Sequence, residues 1–411
     1  MSATLQDDPT HKNSFSILNS LNIPVINIRI SFFFIALFTY VIFGSPTPDK
    51  LALPEVLIGS LLLLSFQPTG LINPENKNIT LLFLSLLILP LLIATVNANS
   101  YALITRDLIA LCFIFLPVFF LPTFKKVQPS IEKLIFFAVL MGIFLSIRSI
   151  ASALFIEPLS LIAEEPHTYL ANSPLVLYAA IMLYFFAFKN FIQKHIGIRA
   201  LLSSTAPLIV LCLPLLAMIL SAQRASLGLF SASAFIITLD FLIKKPRTLI
   251  PVFIMMTGAC AYMLPFLQDV TSALLYKTDI VGLNNRFEEW QAVWTTISPH
   301  PASLLFGIGW GGTYASPAVG NMEVNYTHGM LSYFLLKSGL TGLILICVYI
   351  AMIFTSMLKL GISQKGLFLA LSAPLLIDIF LYASFKSLDF GLLLMLGLLA
   401  PLSLVSESRS L

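Results

Sequence analysis

The chain has 411 residues, of which 58% are hydrophobic and only 10% charged, and its mean hydropathy is +0.94. Soluble domains carry roughly 25% charged residues. The composition therefore excludes a soluble enzyme, a disordered protein and a nucleic-acid-binding domain, and it points to a polytopic membrane protein built from helices. A net charge of +4 leaves no basic footprint for DNA or RNA.

In chain order, residues 1–29 read as a polar cytoplasmic segment, with no cleavable signal peptide expected. A helix needs about 20 mostly apolar residues to cross a bilayer. Candidate spans fall near 30–44, 51–66, 79–96, 103–122, 131–156, 169–188, 206–222, 226–243, 249–267, 341–358, 366–385 and 389–405, about twelve in all. Residues 206–243 are almost continuously apolar. As one helix they would be about 57 Å long, against a hydrocarbon core of about 30 Å. The run must therefore fold into a hairpin, turning at Ser221–Ser226.

Placing the N-terminus in the cytoplasm puts 15 of the 23 basic residues on the inside, in agreement with the positive-inside rule. Nine spans then cover 30–267 and three cover 341–405, with 406–411 as a cytoplasmic tail. The segment 268–340 becomes a long outer loop with short helices of its own. A loop of that length is usually functional or disordered. This one is rich in Trp, Phe and Gly and poor in charge, so disorder is not expected. The shorter 157–167 loop, with Glu157, Glu164 and Glu165, also falls outside. Its carboxylates could assist acid–base work, or could be a solvated acidic loop.

Three residues could carry chemistry. Arg224 sits at the outer tip of the hairpin, as an anion site or as an arginine snorkelling to the headgroups. Arg286 opens the helical pattern of Phe287, Trp290, Val293, Trp294 and Ile297. It shares their face, while Glu288 points the opposite way. Arg286 would meet a ligand there, or form a buried ion pair with a carboxylate such as Glu323 or Asp279. His328 follows Thr327, a fair N-cap that would place it in a first helical turn. The helix dipole there favours a neutral imidazole, which can act as a base. The alternative is a structural interfacial histidine. The glycines of Leu304–Gly312 ("LLFGIGWGG") do not follow a strand, so they read as a tight loop allowing close backbone approach, not as a nucleotide cradle. The four cysteines lie inside apolar runs without metal or redox spacing, and no HxxxH or HExxH pair exists. No protein-bound metal is expected.

Taken together, "SAQRASLGLF", "NNRFEEWQAVWTTISPHPASLLFGIGWGG" and His328 with "GLTG" eleven residues on resemble the bacterial O-antigen ligases and the O-antigen polymerases that share their core region. The matching part is about residues 215–345. Ligases carry a histidine, usually followed by Asn, Ser or Gln, then nine residues before a Gly-x-x-Gly-like ending. Here the spacing to Gly339 and Gly342 matches, and Gly329 stands after the histidine. The resemblance implies a GT-C-like membrane glycosyltransferase of the bacterial inner membrane, with its active site facing the periplasm. Its donor would be a glycan on undecaprenyl diphosphate, and its acceptor a sugar hydroxyl of lipid A–core. It would invert the anomeric centre and need no cofactor, metal or nucleotide. By the same resemblance Arg224 and Arg286 would bind the donor diphosphate and His328 would be the base; from the residues themselves, Trp290, Glu164 and Glu165 are further candidates to support the site. The alternatives are a polymerase joining lipid-linked repeats and a lipid-glycan transporter without chemistry.

Overall fold

The computed structural model describes residues 10–44, 53–68, 76–127, 129–155, 166–193, 198–244 and 286–407. They are mostly helical. The helices are α1 (Thr10–Phe43), α2 (Leu53–Ser65), α3 (Lys77–Val96), α4 (Tyr101–Ile114), α5 (Leu116–Lys125), α6 (Pro129–Phe155), α7 (Pro166–Ala171), α8 (Pro174–Gln193), α9 (Ile198–Leu220) and α10 (Arg224–Lys244). After the undescribed stretch come α11 (Arg286–Ile297), α12 (Pro301–Phe306), α13 (Met330–Ser363), α14 (Lys365–Phe380) and α15 (Leu388–Glu407). The candidate span at 249–267 and the start of the long loop lie outside the described residues, as do Glu157, Glu164, Glu165 and Asp279.

Six of the described helical segments are long and apolar enough to cross a membrane: Ile26–Phe43, Lys77–Val96, Tyr101–Lys125, Ser130–Leu154, Arg224–Lys244 and Met330–Gly361. Four shorter apolar helices lie among them, at Leu53–Ser65, Pro174–Asn190, Thr205–Leu220 and Leu388–Leu402. Helix α1 begins well before the expected start at residue 30, so part of the N-terminal segment is helical. The long apolar run does break: α9 ends at Leu220 and α10 begins at Arg224.

The core is organised around α15, in which Leu388, Phe390, Leu392 to Leu396, Leu399 and Ala400 are all buried. A helix that is apolar all round must be enclosed on every side, and α15 packs against α4, α5, α6, α8, α13 and α14. The outer helices show the reverse, with Phe235, Ile236, Leu239 and Ile243 of α10 exposed. A contiguous apolar exterior of this kind is suited to lipid and not to water.

The chain reversals 97–100, 221–223 and 381–387 all come to the end of the bundle where residues 286–329 sit. A small antiparallel hairpin, β1 (Tyr314–Ser316) and β2 (Met322–Val324), departs from the all-helical expectation. Within α13 the helix is interrupted at Gly339, whose φ is 63°. A β-carbon there would lie 2.5 Å from the backbone of Leu305 and Phe306. This break lets α12 and the loop after it seat against α13. Amides of Ile308 and Gly309 donate to the carbonyls of Leu336 and Lys337, each at 3.0 Å. On its other flank Gly309 lies against α3, where a β-carbon would sit 2.5 Å from the Ala94 nitrogen.

Candidate active site

The site is organised by a residue that the sequence patterning did not single out. Glu289, Val293 and Ile297 recur at intervals of four and form the buried face of α11. Glu289 is only 1% exposed. Its Oε1 accepts the Tyr314 hydroxyl at 2.9 Å and lies 3.0 Å from His328 Nδ1. Its Oε2 accepts the His328 backbone amide at 3.2 Å and lies 3.8 Å from Arg286.

Burial pushes the Glu289 carboxyl up, but the hydrogen bonds and charge of His328, with the Tyr314 hydroxyl, outweigh it and hold the group below the usual carboxylate range. Burial keeps Tyr314 protonated against the pull of Ser316, and the Glu289 charge reinforces this. A carboxylate only accepts hydrogen bonds, so Nδ1 of His328 is the donor, and in the neutral ring Nε2 carries the lone pair. The His328 side chain is 17% exposed and can be reached from outside.

The position of His328 differs from the expectation. Helix α13 starts at Met330 with Gly329 at its cap, so His328 stands before the helix. Thr327 donates its hydroxyl to the Gly329 carbonyl at 2.8 Å and does not cap the helix. The His328 amide is claimed by Glu289 instead, because a charged acceptor competes well for a backbone N–H. The carboxylate thus fixes both the main chain and the ring of His328.

Arg224 begins α10, directly after the reversal at Ser221–Gln223. Tyr382, in the turn between α14 and α15, donates its hydroxyl to Gln223 Oε1 at 2.8 Å. Its phenol is pushed up to about 12 by burial and by Asp378, while the Arg286 and Arg224 guanidiniums and Ser226 pull the other way. The charges of both arginines thus reach the Tyr382 phenol, and Arg286 and His328 share Glu289.

The aromatic face of α11 is divided. Trp290 packs in a small cluster with Val293, Ile297, Tyr314, Leu335 and Leu336. Phe287 and Trp294 point outward, 79% and 48% exposed. The anchoring of Glu289 sets the rotation of the helix, so the expected shared face of Arg286 with Phe287 and Trp294 does not lie on the protein body. Arg286 lies 3.8 Å from Glu289.

A second polar cluster fastens the site to the bundle. Lys337 of α13 lies 2.8 Å from Asp107 of α4 and donates to the Gly312 carbonyl at 2.7 Å. Asp107 also accepts the Gly311 amide at 2.7 Å and Asn325 at 3.3 Å. Asn99 donates to the carbonyls of Ile308 and Trp310, and Trp310 donates its indole N–H to Leu87. The glycine-rich loop therefore works as a close-packed clamp between α3, α4 and α13.

Among the described residues no three or more His, Cys, Asp or Glu side chains are grouped to hold a metal ion. Sequence reasoning passed over Glu289, Tyr314, Tyr382 and Lys386. The spacing of Glu289 with Val293 and Ile297 was a usable signal for the first of these. The buried Asp107, a charged residue inside an apolar helix, was another. No protein-family model matches the chain, and no match is found among curated proteins.

Proposed function

We propose that the protein is a membrane glycosyltransferase of the O-antigen ligase kind, acting at the periplasmic face of the bacterial inner membrane through a fold of about twelve spans. It would move a glycan from undecaprenyl diphosphate to a sugar hydroxyl of lipid A–core. The observation that supports this reading is the Glu289-centred arrangement, in which one carboxylate contacts both the His328 ring and Arg286, while the charges of Arg286 and Arg224 reach Tyr382.

In this mechanism Nε2 of His328 takes the proton of the acceptor hydroxyl. The acceptor oxygen attacks the anomeric carbon of the donor sugar from the face opposite the phosphate. The bond from that carbon to the diphosphate oxygen breaks, and undecaprenyl diphosphate leaves with the electron pair. Arg224 and Arg286 hold the diphosphate and meet the charge that develops on it. Preorganised donors of this type are each worth on the order of 3 kcal/mol in the transition state. The base contributes about 10²–10⁴-fold. Glu289 stabilises the imidazolium that forms, as second partners of reactive histidines do.

The test is transfer by the purified full chain in lipid, with undecaprenyl-diphosphate glycan and lipid A–core and without metal or nucleotide. A glycan-bearing lipopolysaccharide band that the folded His328→Ala variant fails to make is the expected result. Longer lipid-linked glycans without that band would assign a polymerase. Absence of both products from folded protein would overturn the enzyme reading in favour of a transporter.

A further inference from the structure

The turn between α14 and α15 carries a cation that the transfer step does not use. Lys386 ends the short 3-10 turn Ala383–Lys386. Its Nζ lies 4.3 Å from the ring centre of Tyr333, 5.2 Å from that of Tyr326 and 5.6 Å from that of Phe385. Among the described residues it makes no ion pair. The nearby carboxylates are committed elsewhere: Asp107 to Lys337, Gly311 and Asn325, and Glu289 to His328, Tyr314 and Arg286.

Aromatic faces attract a cation, by about 0.5–2 kcal/mol each, but carry no charge to neutralise it. Desolvation pushes the basicity of Lys386 down to about 7. Asp107 on α4 and Glu289 on α11 raise it, while Lys337 on α13 and Arg106 on α4 lower it further. A half-buried ammonium that no described carboxylate pairs with directly, beside carboxylates already engaged by other partners, marks a place where a bound anion is stabilised. That place adjoins the chemistry, because Tyr326 also meets the His328 ring edge-on, with centres 5.8 Å apart.

We propose that Lys386 is an anion-binding residue of this site, holding a phosphate carried by a lipid substrate beside His328. The identity of the lipids rests on the proposed function; the anion site does not. The phosphate could belong to lipid A–core or to the diphosphate of the donor. In either case an N⁺–H···O⁻ bond to this half-buried ammonium is charge-assisted and strong.

The experiment is binding, read by native mass spectrometry of the full chain in detergent. The probes are lipid A–core with and without its phosphates, and undecaprenyl diphosphate beside undecaprenol. Wild type, Lys386→Met and Lys386→Arg are compared. A hydrogen bond to a charged group is worth roughly ten- to hundredfold in affinity. Lys386→Met should weaken one phosphorylated lipid by at least that lower factor and leave its phosphate-free form unchanged, and Lys386→Arg should retain the discrimination. The lipid affected identifies the source of the phosphate. Should Lys386→Met not fold, wild type and Lys386→Arg are compared between pH 6 and 8.5. Wild type should lose affinity relative to the arginine variant as Lys386 gives up its proton. Equal binding by wild type and Lys386→Met, equal losses with and without phosphate, or parallel pH curves would each overturn the proposal. Transfer is not read here, so a protein that binds but does not transfer sinks the proposed function alone. One that transfers without phosphate discrimination sinks only the role of Lys386.

Discussion

Glu289 and Asp107 are the same kind of residue in the same kind of place, yet they do different work. Each is 1% exposed, and each accepts a backbone amide, a neutral polar side chain and an interaction with a basic group. The partner of Asp107 is Lys337, which is sealed in the bundle. The partners of Glu289 are Arg286 and His328, whose side chains remain 20% and 17% exposed. A closed pair can only fasten structure. A carboxylate whose partners open outward passes its charge to groups that a ligand can touch. The burial of the acid does not separate an anchor from a reactive cluster; the exposure of its partners does.

That contrast can be broken most severely at the anchor. Lys337→Met leaves Asp107 charged and buried without its cation, a loss of about 3–5 kcal/mol. Thermal unfolding in detergent should show a large drop, and the double replacement with Asp107→Leu should recover much of it. A Lys337→Met protein that melts with wild type would mean the pair fastens nothing.

At the open cluster, Glu289→Gln keeps the size and removes the charge. Transfer should slow by about 10–100-fold, the usual cost of losing such a partner. Wild-type rates would remove Glu289 from the mechanism.

The open cluster can also be probed through acid unfolding. The Glu289 carboxyl is lower when folded than its unfolded value of about 4.3. Its contribution to stability is therefore fully present above that value and is lost as pH falls through the folded one. Melting of wild type should fall more steeply below pH 4 than melting of Glu289→Gln. Parallel curves would show that the carboxylate is not held ionised by its partners.

The smallest effect belongs to the outward face of α11. Phe287→Ala should change stability by no more than about 0.5 kcal/mol, as at exposed positions generally. A larger loss would show that the outward face is packed against something.

Much of this architecture was legible in the chain. Arg224, Arg286 and His328 stand out because charge or an imidazole amid apolar sequence needs a reason. Glu289 stayed hidden because it adjoins Glu288. Neighbouring residues on a helix are about 100° apart, and only packing against β1 and α13 decides which of the two is buried. Tyr382 and Lys386 were missed for a different cause. They lie in a short reversal between two apolar helices, and nothing in its pattern distinguishes a connector from a wall of the site. The N-cap assigned to Thr327 failed because its hydroxyl donates to the Gly329 carbonyl and the helix starts only at Met330.

The sequence by itself determined the solvent class, the helical build and the hairpin at Arg224. These follow from composition and from the length of apolar runs against the thickness of a bilayer, and neither depends on distant contacts. Only the tertiary structure decided which residues form one site. The bonds that join it span 39 residues from Glu289 to His328, 204 from Asp107 to Gly311 and 159 from Gln223 to Tyr382. Periodicity records the face a residue takes about its own helix axis. It does not record what that face meets, because the partner is chosen by how whole helices pack.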